Sequence, residues 1–192
     1  MQHQGLPNTL IILAVILWFI YMPVAHGEHS IASDTHAAAP VPPGIAVPEE
    51  QVARYTALVA RYLNTNPLDS TQTPTVYMVS KNQLIKLTCP ENPAHCASKV
   101  AIFDKRYFHI LLDQNLQAKK AEVFASFIVH ELTHAYQYFR EPYHSSNPCN
   151  LALQNEREAY MMQNRFLSDK GLHYNFGQEL RGALCPPINT TD

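Results

Sequence analysis

Residues 118–140 read AKKAEVFASFIVHELTHAYQYFR, the longest helix-forming run in the chain. Glu141-Pro142 ends it, because a proline disfavours the helical conformation in the residue before it. Phe124, Phe127, Ile128, Val129, Leu132, Ala135, Tyr136 and Phe139 make the run apolar nearly all round. Such a helix belongs inside a domain rather than on its surface. Two histidines and a glutamate in the same run, His130, Glu131 and His134, are costly to bury unless they bind something.

The spacing says what they bind. His130 and His134 are one turn apart on one helix face. Their rings can converge on one ion at about 2.0–2.1 Å, the usual Zn–N distance. Glu131 is rotated by about 100° from His130, beside the ion rather than on it. Zinc lowers the pKa of water from 15.7 to about 7, and a neighbouring carboxylate can take the proton. His130 and His134 are therefore the expected metal ligands, Zn²⁺ the expected cofactor and Glu131 the expected general base.

A catalytic zinc site needs a third protein ligand and an open position. No histidine follows His134 closely, but Glu156 and Glu158 lie 22 and 24 residues beyond it on the next helix-forming stretch. An intervening loop turns the chain back, so a carboxylate on an antiparallel helix can reach the ion. The two glutamates are about 200° apart around that helix, so only one can face it.

HELTHAYQ followed by a Glu-bearing helix resembles the gluzincins, the thermolysin-like clan of HExxH zinc peptidases with two His ligands and one Glu. The pattern is nearest to the mitochondrial inner-membrane processing peptidases of ATP synthase assembly, in which Ala-Tyr follows HExxH and the ligand helix carries Glu-x-x-Ala. On that form Glu156-Arg157-Glu158-Ala159 implies Glu156 as third ligand; the thermolysin-like Glu-Ala form implies Glu158. The resemblance covers residues 124–165 and extends to families of unassigned metallopeptidases. It implies hydrolysis of a peptide or protein substrate and a zincin-like fold, with substrate running along an edge strand. Oxyanion-donor candidates are Tyr143, His144, Tyr160, His173 and Tyr174. The rival reading is a non-catalytic, metal-stabilised secreted binding domain; a third is an envelope protein in which the motif is accidental.

Outward from the motif, 49–64 is an amphipathic helix with Val52, Tyr55, Leu58, Val59 and Tyr62 on one face, opened by Pro48-Glu49-Glu50. Residues 75–79 form a strand, and Ser80-Lys81-Asn82-Gln83 is a capping box for a short helix. Two strands at 99–103 and 107–112 flank a hairpin turn, 151–168 is a helix with Gly171 beyond it, and 178–184 a last short helix. The expected fold is α+β, with a small, mainly antiparallel sheet packed on the HExxH helix and the ligand helix.

Leu10–Met22 is an unbroken apolar run, short for a membrane span and suited to a signal peptide. Ala25 and Gly27 suit cleavage after residue 27; an uncleaved anchor at 10–22 is the alternative. Residues 28–48, rich in Ala and Pro, read as a flexible linker, in which His26 (just before it), His29 and His36 are solvated. The domain is expected over 49–187, with a tail at 188–192 that overlaps the sequon Asn189-Thr190-Thr191. The four cysteines, Cys89, Cys96, Cys149 and Cys185, all follow the export segment. Of three connectivities, Cys89–Cys96 with Cys149–Cys185 is favoured, since Pro90 and Pro93 make the first loop turn easily. The expected location is secreted, periplasmic or cell-envelope. A formal net charge of -2 gives no basic footprint for nucleic acid, and membrane contact is expected only through an uncleaved N-terminus.

Overall fold

The computed structural model describes residues 42, 44–140 and 147–185. The export segment, residues 28–41 and 43 of the expected linker, the oxyanion candidates Tyr143 and His144, the tail and its sequon lie outside the described residues.

The first helix, α1 (Glu49–Leu63), starts with two acidic residues on the positive end of its dipole and has Arg61 in its last turn. Asn64 ends it in the left-handed conformation, φ 53°. The strand β2 (Thr75–Val79) follows, then α2 (Lys81–Thr88). The capping box at the start of α2 is complete: the Ser80 backbone N–H donates to Gln83 Oε1 at 2.9 Å, and the Gln83 N–H to Ser80 Oγ at 3.3 Å. Strands β3 (Ala101–Asp104) and β4 (His109–Asp113) form a hairpin. Two long helices close the fold, α3 (Ala121–Arg140) and α4 (Pro148–Asp169).

Before β2 stands a two-residue strand, β1 (Ile45–Ala46), in the segment expected as linker. Ile45 is largely exposed, so β1 carries no buried apolar pattern to announce it. Gly44 lets this segment approach: a Cβ there would lie 2.5 Å from the Met78 carbonyl oxygen.

The sheet order is β1-β2-β4-β3. Its outer pairs are antiparallel, as expected, but the central β2–β4 pair is parallel over five residues. The sheet is thus mixed. The connection through α2 and the β3 hairpin is long enough for a parallel crossover, which side-chain alternation alone does not reveal. Alternation does divide the faces. Val76, Ile110 and Leu112 join the main core with α1, α3 and α4, while Tyr77, Val79 and Leu111 pack on Leu84 of α2.

Helix α3 lies at the centre, as its apolar surface requires, against α1, α4, β3 and β4. It starts at Ala121 rather than 118, because Gln114–Ala118 is a 3-10 turn and Lys119 is extended. Helix α4 starts three residues earlier than expected. Pro148 occupies its first position, where the missing N–H is no loss, and Asn147 Oδ1 caps the Asn150 N–H at 3.0 Å. The expected helix at 178–184 is a single 3-10 turn, Gln178–Leu180. Both favoured disulfides are present, Cys89–Cys96 and Cys149–Cys185. They fit an oxidising compartment. Among the described residues no helix is long and apolar enough to cross a membrane.

Candidate metal centre

Helices α3 and α4 pack against each other more extensively than any other two elements among the described residues, and the site lies between them. His130 Nε2 and His134 Nε2 are 3.2 Å apart. Glu156, from the third turn of α4, brings one carboxylate oxygen to 3.5 Å from His130 Nε2 and the other to 3.6 Å from His134 Nε2. Atoms bound at about 2.0–2.1 Å to one tetrahedral ion lie roughly 3.3–3.4 Å from one another. The three separations match that figure to within a few tenths of an ångström, so these residues fit a small divalent cation. Among the described residues they are the one such group of His, Cys, Asp or Glu.

Glu158, the other ligand candidate, points elsewhere. Its oxygens accept from Arg140 Nη1 at 2.9 Å and Nη2 at 2.6 Å, and one also accepts from Gln137 Nε2 at 2.9 Å. A two-residue step along a helix turns the side chain by about 200°, so Glu158 leaves the cluster to Glu156 and pairs with Arg140 at the end of α3.

Each imidazole is held through its other nitrogen. His130 Nδ1 is 3.1 Å from Gln163 Oε1, and His134 Nδ1 is 2.7 Å from Gln137 Oε1. Gln137 and Gln163 are both buried. Neither stood out in the sequence, although the signal was there: Gln137 is one turn beyond His134, and Gln163 two turns beyond Glu156.

Glu131 is buried on the α3 flank that faces β3. The backbone N–H of Phe103 donates to its carboxylate. Burial pushes this carboxyl up to about 7; His134 and Lys99 pull the other way, and the charge of Glu156 adds to the rise. Burial also opposes the charge on Glu156, yet His134 and His130 outweigh it and bring that carboxyl down to about 2. Lys99, just before β3, acts on both carboxylates, and no sequence motif pointed to it.

Tyr160 packs edge-on against His130, with ring centroids 4.5 Å apart, and burial raises its phenol strongly. Its other side lines a groove of about 390 Å³ with Arg157, Met161, Asn164, Phe176 and Arg181. Of the described oxyanion candidates it alone is seen against the cluster: Tyr174 stacks on Phe176, and His173 is exposed.

Fold and site together define a small disulfide-bonded α+β domain carrying a His-His-Glu cluster on two packed helices. A family model described as a domain of unknown function (DUF6647) matches residues 47–179, and the chain belongs to that family. No curated protein and no solved structure matches it.

Proposed function

We propose that the domain is an exported zinc-dependent peptidase of zincin-like architecture, with His130, His134 and Glu156 as ligands and Glu131 as general base. The supporting observation is the convergence of two ring nitrogens 3.2 Å apart with the two Glu156 oxygens, one 3.5 Å from His130 and the other 3.6 Å from His134, beside the buried carboxylate of Glu131. Two imidazoles and one carboxylate are a donor set suited to zinc.

Zinc held there supplies Lewis acidity, which lowers the pKa of water to about 7. The protein's own groups do the rest. Glu131 takes the proton from the attacking water, and its raised affinity for that proton suits the task near neutrality. The same carboxyl then delivers the proton to the leaving amine. β3 is an outer strand of the sheet, and its Phe103 backbone abuts Glu131. An extended peptide laid along β3 would pass beside the base, as substrates do in the zincin clan. Tyr160, packed edge-on against His130, is the candidate for holding the oxyanion.

Two measurements test this reading. Elemental analysis of purified protein should give about one zinc per chain; chelator-free protein made in zinc-containing medium and still metal-free would refute it. Glu131→Gln should keep the zinc and lower cleavage of a mixed peptide library by about 10²–10⁴-fold, the usual contribution of a general base. Equal cleavage by variant and wild type would remove Glu131 from the mechanism. Zinc with no cleavage in either would favour the metal-stabilised binding domain.

A further inference from the structure

We infer that Gln137 and Gln163 are positioning residues that fix both histidines with the proton on Nδ1, so that both Nε2 lone pairs face Glu156. The inference rests on the metal reading only for its purpose; the proton assignment itself follows from hydrogen bonds that end on groups with no choice of role.

Gln137 Nε2 lies 3.0 Å from the Asn155 carbonyl oxygen and 2.9 Å from Glu158 Oε2. A carbonyl and a carboxylate only accept, so the amide nitrogen must face them. The amide oxygen is then the atom 2.7 Å from His134 Nδ1, and the ring must donate to it. On the other histidine the chain is longer. The Ser126 hydroxyl donates its single proton to the Val123 carbonyl at 2.7 Å, so its oxygen accepts from Gln163 Nε2 at 3.1 Å. Gln163 Oε1 therefore faces His130 Nδ1, and that ring also donates from Nδ1.

The outcome is unusual for three polar groups in one place. With both Nδ1 protons assigned, neutral rings offer only lone pairs at the 3.2 Å contact, and the Glu156 oxygens beside them are acceptors too. Acceptors facing one another without a proton repel, and a cation relieves them. Metal-bound histidines commonly have a carboxylate or a carbonyl behind the ring. Here both partners are side-chain amides, so they add no charge. Two neutral histidines and one carboxylate leave the ligand set at a single negative charge.

The Glu158–Arg140 pair gains a role in this scheme. It stands behind Gln137 and keeps the amide from turning over, since a flipped amide would set its oxygen against Glu158 Oε2.

The test reads the tautomers directly. Metal-free, ¹⁵N-labelled full chain is examined by two-bond ¹H–¹⁵N spectroscopy at a pH where the nitrogen shifts show both rings neutral. Both rings should carry the proton on Nδ1. Gln137→Met, close in shape but without an acceptor, should move His134 towards the Nε2-protonated form and leave His130 unchanged. Gln163→Met should do the reverse. Zinc affinity by chelator competition should fall about 10–100-fold in each. Should Gln163→Met fail to fold, the wild-type spectrum and the Gln137 variant still decide. An Nε2-protonated ring in the wild type, or an unchanged His134 in Gln137→Met, overturns the positioning role. Correct tautomers in a protein that takes up no zinc uphold it and overturn the metal reading instead.

Discussion

Helix α3 has two buried arcs that are held in opposite ways. Along one run Ala125, Ile128, Val129, Leu132 and Tyr136, packed in the main core. Along the other run Ser126, His130, Thr133, His134 and Gln137, facing α4, all buried except the half-buried His134. The apolar arc is stabilised by removal from water and by dense contact. The polar arc gains little that way, and each of its groups must find a partner. Thr133 and Ser126 bond backbone carbonyls, Gln137 and Gln163 bond the ring Nδ1 atoms, and the Nε2 atoms are left for the cluster. One helix therefore carries a stability face and a chemical face. Substitutions on the two should fail differently.

The largest contrast is between Leu132→Ala and His134→Ala. Leu132 is fully buried, and its truncation should cost about 2–5 kcal/mol of folding stability. Zinc stoichiometry in the folded fraction should not change. His134→Ala should abolish zinc binding and leave a folded chain. Denaturant melts paired with elemental analysis separate the two, and a His134→Ala chain that keeps its zinc would break the comparison.

A sharper version sets two residues of one turn against each other. Glu156→Ala should lower zinc affinity by more than about 100-fold, because it removes a ligand. Glu158→Ala loosens only the support behind Gln137, so about tenfold or less is expected. Chelator competition measures both, and the reverse order would make Glu158 the ligand.

The smallest expected effect concerns pH in the metal-free protein. The Glu131 carboxyl is raised from 4.5 to about 7. Between those values the folded state binds more protons than the unfolded one, so stability falls as pH rises through that window. The Glu156 carboxyl is lowered from 4.5 to about 2, so its contribution is lost as pH falls through that lower window. Glu131→Gln should therefore raise the melting temperature above pH 7 by a few degrees, roughly what 1 kcal/mol produces in a domain of this size, and by little near pH 4. Thermal melts of the metal-free chain at the two pH values check this. An equal shift at both would show that Glu131 does not titrate as its burial demands.

What the sequence made legible follows from how local each signal is. His130, Glu131 and His134 lie within five residues of one helix, so helical geometry alone puts them at one place. The helices, the capping box at Ser80 and the short Cys89–Cys96 loop rest on equally local cues, and Cys149–Cys185 follows as the remaining pair. The choice between Glu156 and Glu158 was harder, because both rotations are available until the crossing of α3 and α4 is known. β1 escaped notice because two residues carry no alternation, and the parallel β2–β4 pair because register between strands depends on the connection. Gln137 and Gln163 were invisible for another reason. Amides are among the commonest surface residues, and only burial beside a ring nitrogen gives them a task.

The Cys149–Cys185 bond closes a loop over a sequence separation of 36. That loop holds all of α4 beyond its first two residues, including Glu156, Glu158 and Gln163, and the segment that folds back over Tyr160. A protease that nicks the exposed stretch at 173–175 would therefore not release a fragment. The two pieces would stay joined and run as one chain until reduced. In a protein exposed to proteases, Glu156 and Gln163 are thus held on a covalent ring that survives a single cut.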